Sequence, residues 1–201
     1  MVKFAAIKGF VFDLDGVITD TSTFHSQAWH QIADKVGVSW NDQLADALKG
    51  ISRMDSLNLI LAQGHRENDF TPAQKQALAT EKNTNYLQLV NQMTPANILP
   101  GITAFLTELT TAGYALSLAS ASKNAPLVLR KLGLSDYFTK AVDPASLKHG
   151  KPDPEIFRRG AEILGLNPAD CIGDPTVLVA ADINFTDTTQ LTLANIKAQL
   201  N

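Results

Sequence analysis

Asp13 and Asp15 are the two side chains of this sequence best placed to do chemistry. They flank a single leucine, precede Gly16, and directly follow the apolar run of residues 9–12, which is typical of a buried strand. In open α/β sheets ligands bind beyond the carboxyl ends of the strands, so the pair predicts a ligand site there. Two carboxylates this close repel each other and need a cation or a shared proton, and phosphate chemistry commonly supplies magnesium. The pair therefore predicts metal-assisted phosphoryl transfer.

Two other interpretations explain the same residues. An EF-hand loop also contains Asp-x-Asp, but its glycine comes later, a glutamate closes it, and it follows a helix rather than an apolar β-prone run. A plain surface turn stays open on this segment alone, because aspartate and glycine both favour turns. The rest of the sequence has to decide between a turn and a site.

The composition limits the classes of function. The chain has 201 residues, 45% of them hydrophobic, enough for one sizeable domain or a core with a small second domain. Its formal net charge of -3 argues against a broad basic surface for nucleic acid or anionic lipid. The single cysteine, Cys171, cannot form an internal disulfide, and its apolar neighbours predict a small core residue. The first 12 residues lack a cleavage site and are too short to cross a bilayer, so we expect a cytoplasmic protein with neither nucleic acid nor membrane as partner.

The pattern of apolar residues divides the chain into a helical part and an alternating part. Between about residue 20 and residue 95 only helical signals occur, including a stripe from Phe24 to Val36 and a capping box at residues 71–74. Farther along, helix and strand patterns alternate, with strands predicted at residues 114–119, weakly near Val142, and at residues 171–172. We therefore predict an α/β fold: a doubly wound, Rossmann-like parallel-sheet core (residues 1–19 and 96–201) with an inserted α-helical cap (20–95).

Two later segments carry polar groups at the predicted edge of the sheet. Ser120, Ala121 and Ser122 follow the second predicted strand, where hydroxyl groups and the first amides of the next helix can cradle a phosphate. An ordinary serine cap explains these residues as well. Lys151 precedes two prolines that fix the entry into a helix, although on its own it reads as a solvated surface lysine.

Taken in order, these segments resemble the haloacid dehalogenase superfamily of phosphotransferases. Blocks 12–21, 48–53, 118–124 and 151–154 are similar to the β-phosphoglucomutase family in particular. The resemblance implies that Asp13 is the nucleophile and carries a transient aspartyl phosphate, and that Asp15 is the general acid and base. It also implies that Mg²⁺ binds Asp13, the backbone carbonyl of Asp15 and the phosphate, while Ser120 and Lys151 hold phosphate oxygens.

The resemblance further implies that cap residues recognise the distal end of a sugar phosphate. His25 and Trp29 lie one turn apart on one helix face, where a histidine is more often a packing residue. Arg53 suits a phosphate because its planar fork donates two parallel hydrogen bonds. The predicted substrate-binding set comprises Thr21, His25, Trp29, Lys49, Gly50, Ser52 and Arg53 from the cap, and Ser120, Ala121, Ser122, Lys123, Asn124 and Lys151 from the core.

One segment departs from the family. An acidic pair is expected soon after the strand at residues 171–172, but here Gly173 leads into Asp174, Pro175 and Thr176, as though roughly 20 residues, a helix and a strand, were absent. Asp174 is the candidate for a further metal ligand. We expect a monomeric mutase that exchanges β-glucose 1-phosphate and glucose 6-phosphate through glucose 1,6-bisphosphate. A sugar-phosphate phosphatase and an inactive sugar-phosphate binder remain alternatives.

Overall fold

The computed structural model describes residues 4–49, 51–151, 153–173, 185 and 187–200. The chain divides into two compact units, one formed by Met1–Asp20 with Met93–Asn201 and the other by Thr21–Gln92. The second unit is thus inserted in the sequence of the first, directly after its first strand and the turn that follows.

In its described residues the larger unit is built on a three-stranded parallel sheet. The strands are β1 (Gly9–Phe12), β2 (Ala115–Leu118) and β3 (Cys171–Gly173), and their order in the sheet is β2-β1-β3. Register pairs Phe12 with Leu118 and Val11 with Gly173. Because the strands are parallel, the residues that follow them emerge at one edge of the sheet. The predicted α/β class with a parallel sheet is confirmed.

The prediction of a strand near Val142 is wrong. In its place the structure has a single parallel bridge between Leu118 and Ala141, and the N–H of Val142 donates to the carbonyl of Leu118 at 2.9 Å. Pairing stops there because Asp143 caps a 3₁₀ turn at Pro144–Ser146, which leads the chain away from the sheet.

Helices cover both faces of this sheet. Phe10 and Phe12 point to one face, where the ring of Phe105 on α5 (Ile102–Thr111) packs edge-on against Phe10 at 5.8 Å. Val11 points to the other face, since side chains alternate along a strand, and it packs with Ile156 and other residues of α7 (Glu155–Ile163). The core is therefore doubly wound. Its helices are α5 (Ile102–Thr111), α6 (Ala125–Leu132), α7 (Glu155–Ile163) and α8 (Leu193–Leu200), with 3₁₀ turns at Phe4–Ala6, Pro95–Asn97, Pro144–Ser146, Pro168–Asp170 and Thr188–Gln190.

Gly160 lets α7 pack closely on the sheet. A Cβ atom at this position would lie 2.3 Å from Cγ1 of Val11. The hydroxyl of Ser117 on β2 also donates to the carbonyl of Gly160 at 2.8 Å. A larger residue would separate the helix from the strands that carry the edge residues.

The smaller unit contains helices and, in its described residues 21–49 and 51–92, no strand. The predicted capping box is confirmed: the Thr71 hydroxyl accepts from the N–H of Gln74, and the Gln74 side chain accepts from the N–H of Thr71. Its helices are α1 (Ser22–Lys35), α2 (Asp42–Ala47), α3 (Arg53–Gln63) and α4 (Pro72–Val90), and they enclose a core that includes Trp29, Ile32, Leu57, Ile60, Leu61 and Leu78.

Among the described residues, none of the helices combines the length and the apolar character that a membrane crossing requires.

Candidate active site

Asp13 lies at the carboxyl end of the central strand with both of its carboxylate oxygens engaged. Oδ1 accepts from the N–H of Leu14 at 2.7 Å, and Oδ2 forms an ion pair with Nζ of Lys151. The two side chains are only 13% and 17% exposed. The next residue, Leu14, is fully buried and anchors the backbone. The carboxylate is therefore held in place and compensated by a cation.

Asp15 belongs to a tight turn at the same end of β1. The carbonyl of Leu14 accepts from the N–H groups of Ile18 at 3.0 Å and Thr19 at 3.1 Å. Gly16 occupies the left-handed region with φ +80°, a conformation that favours glycine. The turn reverses the chain and leaves Asp15 partly exposed at the strand end.

The end of β2 lies beside that of β1. The N–H of Ala119 donates to the carbonyl of Phe12 at 2.7 Å, so the pairing continues one residue beyond the strand. Ser120 follows and is buried, and its Oγ accepts from the N–H of Ser122 at 3.1 Å. The Ser122 hydroxyl in turn accepts from the N–H of Asn124, the N-cap residue of α6, at 3.2 Å. The two serine hydroxyls thus close turns before α6 rather than cap the helix, and the Ser120 O–H group can still donate. Ala121 and Lys123 are exposed.

Lys151 reaches Asp13 from a loop that Glu155 closes. The Glu155 carboxylate accepts from the backbone N–H groups of Lys148 at 3.1 Å and His149 at 2.9 Å. These backbone hydrogen bonds, the His149 bond first, lower the pKa of Glu155. Asp153 accepts from the N–H of Glu155 at 2.8 Å. The loop that presents Lys151 is therefore tied to the start of α7.

The donor set at the edge of the sheet fits a magnesium ion. Asp13 offers a carboxylate oxygen and Asp15 its backbone carbonyl oxygen, and Mg²⁺ is commonly bound through one or two carboxylates together with water and substrate phosphate. Within the described ranges, His149, Asp153 and Glu155 form the only group of three His, Cys, Asp or Glu side chains close enough together to hold a metal ion. The carboxylates of Asp153 and Glu155 already accept hydrogen bonds from backbone N–H groups of this segment. Asp174, the predicted further ligand, and Gly50 lie outside the described residues.

In the helical unit, His25 is held against a buried lysine. Nζ of Lys82 lies 2.7 Å from Nδ1 of His25, and the Tyr86 ring stacks on the imidazole at 4.1 Å. Since a protonated lysine only donates, Nδ1 is the acceptor and the imidazole proton is on Nε2. Burial, followed by the charges of Lys82 and Arg53, lowers the pKa of His25 to about 3. The imidazole is therefore neutral near pH 7.

Lys82 carries its charge within an aromatic environment. Only 3% of the residue is exposed, and Nζ lies 5.0 Å from the centre of the Trp29 ring and 4.9 Å from that of Tyr86. Trp29 itself belongs to the core of the helical unit. Cation–π attraction and the His25 acceptor together offset part of the cost of burying the charge.

Arg53 is the first residue of α3 and is held by α4. Its Nη2 donates to Oδ1 of Asn83 at 2.7 Å. Ser52 is the N-cap of α3, and its hydroxyl accepts from the N–H of Asp55 at 3.2 Å. Lys49 forms an ion pair with Asp46 at 2.7 Å, and both side chains are well exposed. Thr21 is the buried N-cap residue of α1, and its carbonyl accepts from the N–H of His25.

Sequence reasoning missed three residues of this group, Lys82, Asn83 and Tyr86, all on α4. The signal for Lys82 was present. The buried face of α4 includes Leu78, Lys82, Tyr86 and Val90 at intervals of four residues, and a lysine at a core position of such a stripe indicates a paired charge.

Cys171 behaves as the sequence predicts. It is partly buried against the apolar cluster around Val11, and burial, followed by the charge of Asp170, raises the pKa of its thiol. The residue is therefore a packing residue rather than a reactive thiolate.

The core is a doubly wound sheet. An aspartate follows its central strand, a serine follows the neighbouring strand, and a lysine is paired with the aspartate. Together these features define one class of protein. The chain belongs to the haloacid dehalogenase-like hydrolase family, whose model matches residues 7–173.

Within that family the chain is a homologue of β-phosphoglucomutase. It is 45% identical over 165 residues to the β-phosphoglucomutase of Bacillus subtilis, a match that covers 82% of this chain and 73% of the relative. The crystal structure of a β-phosphoglucomutase from Clostridium difficile superposes with a TM-score of 0.87 at 38% identity, covering 96% of this chain and 97% of the other. A fructose-1-phosphate phosphatase of Escherichia coli is 30% identical, over 82% of this chain and 84% of its own length.

Proposed function

We propose that this protein is a β-phosphoglucomutase that interconverts β-glucose 1-phosphate and glucose 6-phosphate through an aspartyl-phosphate enzyme. The observation that carries the proposal is the pairing of Asp13 with Lys151 at the carboxyl end of the central strand. An immobilised carboxylate beside a cation is suited to approach an anionic phosphoryl group, because the cation offsets the repulsion between them. The 45% identity to a β-phosphoglucomutase supports the choice of reaction.

In the proposed reaction the phosphoryl group passes between Asp13 and two sugar oxygens. Starting from phosphorylated Asp13, the 6-hydroxyl of β-glucose 1-phosphate attacks phosphorus, the bond from phosphorus to Asp13 breaks, and Asp15 removes the hydroxyl proton. This gives glucose 1,6-bisphosphate. After the intermediate turns around, Asp13 attacks the phosphorus at C1, Asp15 returns the proton to the leaving C1 oxygen, and glucose 6-phosphate is released.

The residues around Asp13 meet the electrostatic demands of that transfer. Lys151 and the Ser120 hydroxyl would donate to the phosphoryl oxygens, whose charge is spread in the transition state. Mg²⁺, held by Asp13 and the backbone carbonyl of Asp15 with Asp174 as a further candidate ligand, would neutralise phosphoryl charge when bound. Without Mg²⁺, Lys151 alone would offset the charge of the two carboxylates that the substrate meets.

The proposal assigns the distal phosphate to Arg53 of the helical unit. In the helical unit Arg53 and Lys82 both lower the pKa of His25 by their charge, so two cations lie near one neutral imidazole. Such a group suits an anion. In the core, Ser122, Lys123 and Asn124 are proposed as substrate-binding residues. The remaining residues proposed for the sugar and its phosphate are Thr21, His25, Trp29, Lys49, Gly50, Ser52 and Ala121.

A phosphatase is the second candidate, favoured by the 30% identity to a fructose-1-phosphate phosphatase. The two differ in whether water or a sugar hydroxyl accepts the phosphoryl group from Asp13. The third is an inactive binder, favoured by the sequence Asp174-Pro175-Thr176 where the family carries an acidic pair.

One assay separates the three functions. The protein is incubated with β-glucose 1-phosphate, Mg²⁺ and a trace of glucose 1,6-bisphosphate, and glucose 6-phosphate and inorganic phosphate are both measured. We expect glucose 6-phosphate to account for nearly all of the consumed substrate. Stoichiometric inorganic phosphate would establish the phosphatase, and binding of substrate without either product would establish the inactive binder.

A further inference from the structure

We propose that Asn83 is a positioning residue for substrate recognition, which acts by orienting the guanidinium of Arg53. The inference rests on the proposed function, in which Arg53 binds the distal phosphate. It adds a residue on α4 that carries no charge and lies outside the predicted site.

The contact between the two side chains is direct. Oδ1 of Asn83 accepts from Nη2 of Arg53 at 2.7 Å, and 30 residues of sequence separate them. Arg53 begins α3, whose first turn is capped by Ser52, so its backbone is fixed while its long side chain is exposed. An arginine side chain loses considerable rotamer freedom when it is held in one geometry. A hydrogen bond that already restricts the guanidinium reduces the conformational entropy that is lost when the phosphate binds.

The place of Asn83 on α4 makes it a suitable anchor. The preceding residue, Lys82, is fixed toward α1 through His25 and the rings of Trp29 and Tyr86. α4 packs on both α1 and α3. Because Lys82 and Asn83 are consecutive in one helix, the buried lysine fixes the helix rotation that points Asn83 at Arg53. Consecutive residues of α4 therefore fix both cations near His25. Lys82 is itself one of them, and Asn83 holds the other, Arg53.

The chemistry of the pair leaves the guanidinium available for an anion. Arg53 has five N–H donors in a planar fork, and one bond to a neutral amide oxygen leaves its charge uncompensated by that partner. A carboxylate at this position would neutralise part of the charge and compete with a phosphate. Asn83 therefore orients the side chain without competing for its charge.

The experiment is a double-mutant cycle on the full chain, with KM and kcat for β-glucose 1-phosphate as readouts. We expect Asn83→Ala to raise KM about three- to tenfold with kcat changed less than about twofold, as fits loss of one charge-assisted hydrogen bond. Asn83→Gln, which can still offer an amide oxygen, should recover part of the loss. In the Arg53→Ala background, Asn83→Ala should change KM by less than about twofold, because its partner is already gone.

The outcomes distinguish the inference from the proposed function. An unchanged KM in Asn83→Ala together with a raised KM in Arg53→Ala would overturn the positioning role and leave the proposed function intact. An equal rise caused by Asn83→Ala in both backgrounds would also overturn it, since the effect would not pass through Arg53. An unchanged KM in Arg53→Ala would remove Arg53 from the proposed site and the inference with it. Thermal unfolding of each variant provides the control for folding.

Discussion

Lys151 forms an ion pair with Asp13 across 138 positions of sequence, at a point where neither side chain is much exposed to water. The pair joins the end of the central strand to the loop before α7. Nζ of Lys151 also lies 5.1 Å from the centre of the Phe157 ring, so the ammonium is confined on a second side. The arrangement keeps a carboxylate oriented where a phosphoryl group is proposed to arrive.

The Lys151→Met variant tests that arrangement. We expect kcat to fall by at least about 100-fold, because the change removes a preorganised cation from the charge that develops on the phosphoryl group. The measurement is steady-state turnover of β-glucose 1-phosphate. The matched control is Lys148→Met in the same loop, whose backbone N–H rather than its side chain bonds Glu155. Wild-type turnover by Lys151→Met would refute the role of this lysine.

The buried imidazole of His25 predicts a pH dependence of stability. Its pKa is about 3 in the folded protein and near 6.5 when unfolded, so the unfolded state binds more protons between these values. Stability contributed by the neutral imidazole is therefore present above pH 6.5 and is lost as pH falls toward 3. Between pH 7 and pH 5 we expect a loss of about 1–2 kcal/mol in the free energy of unfolding.

Urea unfolding of wild type and His25→Gln at the two pH values measures this loss. The variant should show a smaller decrease between pH 7 and pH 5 than the wild type. His30→Gln is the matched control on the same helix, since the His30 side chain is half exposed; it pairs with the exposed Asp34 at 3.5 Å and stacks on the Trp40 ring at 5.2 Å. Identical pH dependence in wild type and His25→Gln would contradict the assignment of a buried neutral histidine.

Gly160→Ala should destabilise the core although alanine normally favours a helix. The new Cβ would lie 2.3 Å from Cγ1 of Val11, so α7 or the strand must move. We expect a loss of about 1–3 kcal/mol, as for overpacked cores, in contrast to the gain of about 1 kcal/mol typical of an exposed helix position. The control is Gly150→Ala, where a Cβ meets nothing within 4 Å. A Gly160→Ala protein as stable as wild type in urea unfolding would show that the helix is not closely packed there.

Local patterns were sufficient for the α/β class, because each is set by neighbouring residues. The apolar run before Asp13 and the capping box at Thr71 are read from a few consecutive residues, and both occur as expected. The strand near Val142 failed because strand formation depends on a partner: one bridge to Leu118 is all that the turn at Pro144 permits. A weak β pattern does not contain that information.

The residues of the candidate site were likewise predicted only in part. Asp13 and Lys151 were found from motifs at strand and helix ends, and the structure adds that they contact each other. Lys82 was missed because its partners, His25 and Trp29, lie more than 50 residues away, and a lysine within a polar helix reads as solvated. Its four-residue spacing from Leu78 and Tyr86 indicated a buried position, and the packing of α4 on α1 identifies its partners.

The most direct test of the account is to find the phosphoryl group on Asp13. The protein is mixed with glucose 1,6-bisphosphate and Mg²⁺, quenched in acid during turnover, digested and examined by mass spectrometry for a hydroxylamine-sensitive phosphoryl group. We expect it on the peptide that contains Asp13, and expect Asp13→Asn to lack both the modification and turnover while keeping wild-type thermal stability to within a few degrees. A phosphorylated residue elsewhere, or turnover by Asp13→Asn, would contradict the central claim.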